Sequence, residues 1–332
     1  MPDTLPLKPI DADTADKLRE AVAERDAIAA AVAPLVESGL RNVYFVGAGG
    51  SLICSYPAHY LLQRAASFPA FQLQSDELNA STPALMGPGS LVVLASYTGT
   101  TKETVQAAHT AKKTGATVLA AAKKDTPLAD AADLAFPAKS DIFELVLAYV
   151  LLEATGARLD ASAVKDTLEA LPEAVRHAVE ESEEHLAQIA AAFKDEPITY
   201  VLGSGPTYGW AYGLAMCFLQ EMQWKDAAAF NTGEFFQGAF EVVDDDTAVL
   251  LWLGEDASRP LAERGKRFLE TYCKKAQYID VADLTLPGVP QEFRGDVTGI
   301  VVGALANRLA QHYEALRGHD LEQRHYMFKV DY

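Results

Sequence analysis

At 332 residues, with 49% hydrophobic and 22% charged side chains, the chain is long enough for a large core and for two domains of ordinary size. Its 46 acidic and 28 basic residues give a formal charge of −18, which argues against nucleic acid or an anionic membrane surface as partner, since both need a positive footprint. An anionic ligand would therefore have to be drawn by local donors. No apolar run approaches the length of a membrane span, and residues 1–13 lack a basic segment followed by an apolar one, so a cytoplasmic protein is expected. The three cysteines (Cys54, Cys217 and Cys273) are widely spaced and the seven histidines show no ligand spacing. Buried thiols, no disulfide, no metal and no organic cofactor are the expectation.

Residues 13–36 are Ala-rich with apolar positions near helical spacing, and Gly39 follows as a stop; they predict a helical lead-in, set at 1–35. Asn42 to Val46 reads as a buried strand, and Gly47-Ala48-Gly49-Gly50-Ser51 as a glycine turn feeding a helix over 52–65. Short strands are predicted at 71–74, 91–95 and 117–122, with an edge strand at 135–136 and a buried apolar helix over 142–152. Between the strands at 91–95 and 117–122 lies Ser96-Tyr97-Thr98-Gly99-Thr100-Thr101, followed by a helical pattern through Val105, Ala108 and Ala111. A strand, a hydroxyl-rich turn with one glycine, then a helix start brings unpaired N–H groups and hydroxyls together where the helix dipole favours an anion. An ordinary N-cap uses the same residue types, but four hydroxyls in six positions exceed what a cap needs.

Residues 161–193 turn helical and acidic and read as a connector, set at 161–195. The strand, glycine turn and helix pattern then recurs: Ile198 to Leu202, Gly203-Ser204-Gly205-Pro206-Thr207, and a helix over 210–223. Further strands are predicted at 248–253, 277–281 and 298–302. The second half thus repeats the first in outline, without a hydroxyl-rich loop after Trp252-Leu253-Gly254. Strands alternating with helices predict an α/β fold, each half a doubly wound parallel sheet flanked by helices.

Taken alone, the turn at 47–51 lacks the full dinucleotide spacing and the acidic residue that would end the next strand, so a nucleotide site is disfavoured. It either places Ser51 near a ligand or serves only helix–strand packing. Glu221, late in a helix among Phe218, Leu219, Met222 and Trp224, is either a carboxylate whose pKa rises beside an apolar face, useful for proton transfer, or a boundary residue paired with Lys225 or another base. Residues 231–242, with Gly233 and Gly238 bracketing aromatics, Glu234 and Gln237, read as a loop entering a site. The ending from 316 to 332 carries Arg317, His319, Arg324, His325, Lys329 and three aromatics, and is expected to dock.

Several of these motifs together resemble the sugar isomerase (SIS) domain proteins with two tandem SIS domains, in particular the fructosamine 6-phosphate deglycases and the isomerase half of glucosamine-6-phosphate synthase. Ser96-Tyr97-Thr98-Gly99-Thr100-Thr101 with Glu103-Thr104 matches the family's phosphate loop. Gly49-Gly50-Ser51 matches its earlier sugar-phosphate turn, and Ser75-Asp76-Glu77 falls on a short S-x-E segment. Residues 233–241 (G-E-F-F-Q-G-A-F-E) resemble the deglycase signature, and 324–332 the deglycase C-terminus. The resemblance implies SIS domains at 36–160 and 196–315, a tail at 316–332 docking on the active site, and a homodimer with that site at the subunit interface.

It also implies roles. Ser51, Ser96, Thr98, Gly99 and Thr101 would hold a substrate phosphate. Gly49, Gly50, Glu77 and Glu234 would touch the rest of a phosphorylated sugar or ketosamine, and Glu221 would be the acid/base. Lys329 falls near the synthase lysine that forms an imine with the open-chain sugar. One departure stands out: the family's histidine, contributed across the dimer to assist ring opening or proton transfer, is Gln237 here, and the following proline is Ala239. A glutamine amide hydrogen-bonds but transfers no proton at neutral pH. Either a tail group (His319, His325 or Lys329) takes over, or the substrate differs, or the activity is weak. The expected activity is deglycation of a ketosamine 6-phosphate through an enediol or enaminol; aldose–ketose isomerisation and non-catalytic sugar-phosphate sensing are the alternatives.

Overall fold

The computed structural model describes residues 4–11, 13–137 and 142–331, so Tyr332 of the predicted tail lies outside it. The chain divides into two compact bodies, one of residues 13–172 and the other of 1–12 with 173–332. The division falls at Pro172, inside the long helix α9 described below.

The body of residues 13–172 contains α1 (Thr14–Ala23), α2 (Arg25–Glu37), β1 (Asn42–Gly47), α3 (Gly50–Cys54), α4 (Tyr56–Ala65), β2 (Ala70–Gln74), α5 (Ser75–Ala80) and β3 (Ser90–Ser96). It continues through α6 (Lys102–Lys113), β4 (Thr117–Ala122), α7 (Pro127–Ala131), β5 (Leu134–Phe136), α8 (Ile142–Ala154) and the first part of α9 (Ala161–Phe193). The strands form one parallel sheet in the order β2-β1-β3-β4-β5. β1 and β3 are buried along their whole length, as strands covered on both faces must be, which is why they read as continuous apolar runs rather than alternating ones. Ala107, Ala108 and Ala111 of α6 lie against Val92, Leu94, Val118 and Ala120 on one face. The lead-in helices α1 and α2 pack on α8, whose residues 142–152 are all buried.

The second body contains β6 (Ile198–Gly203), α10 (Tyr208–Gly213), β7 (Asp226–Asn231), α11 (Thr232–Phe235), β8 (Val249–Leu253), α12 (Arg259–Tyr272), β9 (Gln277–Asp280) and α13 (Gln291–Arg317). Its sheet, also parallel, runs β7-β6-β8-β9, the same order as the first four strands of the other body. Between α10 and β7 the chain continues as a π-helix, Leu214–Met222, closed by the Gln223 N–H donating to the Phe218 carbonyl at 3.0 Å. The loop expected at 231–242 instead carries α11 and a short 3-10 turn, Ala239–Val242.

One expected strand is wrong. Residues 298–302 lie in the middle of α13, where Val297 through Gly303 are all buried. An apolar run buried on every side carries no periodicity, so Thr298-Gly299-Ile300-Val301-Val302 fits a core strand and a core helix equally well. Within α13 the Gly303 position has no room: an added Cβ would lie 2.6 Å from Cε2 and Nε1 of Trp210. Gly303→Val is expected to destabilise the protein by about 1–3 kcal/mol through overpacking, seen as a lower urea midpoint with an unchanged slope.

Among the described residues, no helix is long and apolar enough to cross a membrane.

Candidate functional site

In the body of residues 13–172, the strand order reverses at β1, which has β2 on one side and β3 on the other. In such a sheet the crevice at the carboxyl ends of the two strands flanking the reversal is where ligands bind. Val46 of β1 is in register with Leu94 of β3, so the turn after Gly47 and the turn after Ser96 leave the sheet side by side. Sequence order 50 residues apart thus becomes one rim carrying Gly49, Gly50 and Ser51 on one lip and Ser96 to Thr101 on the other.

The second lip is organised by its own hydroxyls. The Gly99 N–H donates to Ser96 Oγ at 3.1 Å, and Ser96 Oγ lies 3.0 Å from Thr101 Oγ1. Thr100 donates its N–H and its hydroxyl to Thr98 Oγ1. Thr101 occupies the N-cap of α6, yet its side chain makes no cap bond there, being turned toward Ser96. The first-turn N–H groups of α6 are therefore left without the hydroxyl that normally satisfies one of them, and the helix dipole is aimed at the same place. Ser96 is buried, while Thr98 is exposed and Ser51 and Thr101 are half-buried. Glu77 stands exposed on α5, whose start is capped by Gln74 Oε1 accepting from the Asp76 and Glu77 N–H groups. α5 is pinned to α6 by a buried contact of 3.0 Å between the Ser75 and Thr104 hydroxyls. Sequence reasoning missed Lys123, which follows β4 and places its ammonium 4.4 Å from the centre of the exposed Tyr97 ring. It brings a cation to the loop in a protein of strongly negative charge.

The corresponding place in the second body is filled from within. β6 has β7 and β8 as neighbours, so the turns after Gly203 and Leu253 are again side by side. Here Asp256 Oδ2 accepts from the Ser258 N–H at 2.8 Å, and Ser258 Oγ lies 3.0 Å from Asp256 Oδ1 and 3.2 Å from Ser204 Oγ. The Asp256 carboxylate thus sits just before α12, in the turn that corresponds to the hydroxyl loop before α6.

Glu221 sits near the end of the π-helix. It pairs with Arg324 of the C-terminal tail at 3.0 Å, and the two side chains are 23% and 11% exposed. Burial pushes the Glu221 carboxyl above its ordinary range; Arg324 opposes this and Glu322 adds to it. Lys225, the other partner considered from sequence, donates instead to the Glu196 carbonyl. His319 meets the Trp224 ring edge-on, with centroids 4.4 Å apart. Lys329 is exposed and its ammonium donates to the Arg324 carbonyl. The tail thus reaches Glu221 through the Arg324 side chain, with Lys329 on the Arg324 carbonyl and His319 on Trp224. Glu234 and Gln237 stand exposed on the separate segment after β7. Arg324 was legible only as one of several tail cations; nothing in its neighbourhood in sequence signals a partner 103 positions earlier.

A protein-family model for the SIS domain matches residues 38–165. Fructosamine deglycase FrlB of Bacillus subtilis is 31% identical over 305 residues, covering 88% of this chain and 92% of that protein. Fructoselysine 6-phosphate deglycase of Escherichia coli is 28% identical over 264 residues, 77% of this chain and 78% of the relative. Among solved structures, a Bacillus subtilis protein assigned as a phosphosugar isomerase superposes with a TM-score of 0.87 at 29% identity, covering 95% of this chain and all of its own. The chain belongs to the SIS-domain family that includes the fructosamine deglycases.

Proposed function

We propose that the protein is an enzyme that deglycates a ketosamine 6-phosphate, giving a hexose 6-phosphate and a free amine. The observation that carries the reading is the likeness to fructosamine deglycase over 88% of the chain. The hydroxyl loop at 96–101 supports it by offering an anion donors rather than a competing carboxylate, and Glu221 supports it as a half-buried carboxylate whose proton affinity is raised. In this reading both bodies are SIS domains, and Asp256 leaves the first with the phosphate.

The open-chain ketosamine carries its amine on carbon 1 and its carbonyl at carbon 2. Glu221 removes a proton from carbon 1 as the carbon 2 oxygen takes one up, giving an enaminol, and returns its proton to carbon 2 while the nitrogen gives one up, leaving an imine at carbon 1. Water adds to the imine, the carbon–nitrogen bond breaks, and the amine leaves with a proton. Ser51, Ser96, Thr98, Gly99 and Thr101 hold the phosphate, so binding energy far from the reacting carbons positions them. Lys329, His319 and His325 are the tail groups available for the ring opening that Gln237 cannot assist by proton transfer. Gly49, Gly50, Glu77 and Glu234 are the remaining substrate contacts in this reading. We also infer a cytoplasmic homodimer, which light scattering on the purified protein would test.

The deciding assay is a panel of phosphorylated Amadori compounds with amine release as readout. Amine and hexose 6-phosphate are expected in equal amounts from at least one member. Interconversion of fructose 6-phosphate without amine release from any ketosamine would make the protein an isomerase instead. Gln237 favours a second reading, a sensor that binds without turnover; tight binding of a hexose 6-phosphate by protein inert toward the whole panel would establish it.

A further inference from the structure

The tail that carries Arg324 is fixed on both sides of it. α13 ends in a left-handed turn at Gly318, after which the His319 carbonyl accepts from Gln223 Nε2 at 2.7 Å. The buried Leu321 N–H donates to Glu314 Oε1 at 3.0 Å, and the same oxygen accepts from Lys8 at 2.8 Å. Beyond Arg324, the His325 ring stacks on Trp224 at 3.6 Å with the planes 16° apart. Trp224 is itself left-handed, with φ 51°, a conformation that is strained by about 1–3 kcal/mol for a bulky residue and persists only where packing imposes it. Trp224 directly follows the last turn of the π-helix, so the tail grips the end of the helix that carries Glu221.

Within this frame Arg324 is aimed. Its Nη1 donates to the Leu321 and Gln323 carbonyls while Nη2 faces Glu221. A loose surface pair contributes little, but removing one member of a buried pair leaves the other charge uncompensated. The charged groups acting on Glu221 are Arg324 and Glu322, both from the tail. Cys217, one turn earlier on the π-helix, is pushed up to about 12 chiefly by burial, so it stays neutral and does not compete for the role of base.

We propose that Arg324 is a positioning residue: it holds the Glu221 carboxylate in its charged form and in one orientation, and the tail thereby sets the pH range over which Glu221 works as a base. The proposal rests on the reading of Glu221 as the proton-moving group. It gives the C-terminal tail a defined electrostatic task separate from contact with substrate.

The test compares Arg324→Met, which keeps the stem and drops the charge, with Arg324→Lys and with Glu322→Gln. Two readouts are taken on the full-length protein. One is kcat/KM against pH for the best ketosamine 6-phosphate. The other is the titration of Glu221 itself, by NMR on protein carrying carboxyl-labelled glutamate, with Glu221→Gln identifying its signal. In Arg324→Met, the NMR midpoint and the acidic limb of kcat/KM are expected to move to higher pH by about one unit, a roughly tenfold loss below the limb that is recovered above it. Hexose 6-phosphate affinity is expected to stay as it was. Arg324→Lys should restore most of the shift, and Glu322→Gln should move both readouts to lower pH, a direction that mere loosening of the tail does not produce. Unmoved midpoints in folded Arg324→Met, or in Glu322→Gln should the former not fold, would overturn the proposal. If the midpoints move as expected but no ketosamine is turned over, the electrostatic role stands and the deglycase reading falls.

Discussion

Glu221→Gln is expected to lower turnover of a phosphorylated ketosamine by about 10²–10⁴-fold, the usual contribution of a positioned acid or base, while hexose 6-phosphate binding changes little. The substitution is nearly isosteric. The amide oxygen still accepts a hydrogen bond from Arg324, so the tail keeps a partner there, but the group no longer takes or gives a proton. The loss should fall on kcat rather than KM, because proton transfer is felt in the transition state and not in the ground-state complex. Glu234→Gln makes a useful contrast. Glu234 is exposed on the segment after β7, and its replacement should affect substrate contact, and hence KM, before it affects the chemical step. Turnover by Glu221→Gln within a few-fold of the parent would remove Glu221 from the mechanism.

Much of this arrangement is legible in the chain before it folds. β1, β3 and β4 announce themselves as apolar runs between turn signals, and α9 is bounded in sequence where the structure bounds it, at Ala161 and Phe193. The hydroxyl loop is legible because its chemistry is local: Ser96, Thr98, Gly99 and Thr101 lie within six positions, and Thr101 is beside the helix it fails to cap. What escapes is of two kinds. The π-helix leaves no composition signal, because widening the hydrogen-bond ring from Phe218 to Gln223 requires no particular residue type. The pairings of Glu221 with Arg324 and of Asp256 with Ser258 and Ser204 are tertiary, created when distant turns meet. The burial of 298–302 is a third case, where a correct reading of apolarity cannot choose between helix and strand.

Gly99→Ala carries the other large expected effect. Gly99 has φ 68°, in the left-handed region, and its missing side chain is the space that Thr126 occupies: an added Cβ would lie 2.2 Å from Thr126 Oγ1 and 2.5 Å from Thr126 Cβ. Thr126 has little freedom to retreat, since its hydroxyl donates to the Lys123 carbonyl at 2.7 Å and it precedes α7, whose Leu128 N–H donates to the Gly99 carbonyl at 3.0 Å. The loop must therefore move, and with it Ser96 Oγ and the Thr98 hydroxyl that organise the lip. A displacement of about 1 Å at such a site costs on the order of 10²-fold, and it is expected in KM for phosphorylated substrates, with kcat at saturation less affected. Gly87→Ala is the matched control, its Cβ meeting only the Thr114 carbonyl at 3.6 Å. Adding Thr126→Gly to Gly99→Ala separates the two causes: recovery of affinity assigns the loss to the collision, and persistence assigns it to the left-handed backbone. Binding of an unphosphorylated sugar should be indifferent to all of these changes. Phosphosugar affinity that survives Gly99→Ala undiminished would mean that the anion is held elsewhere.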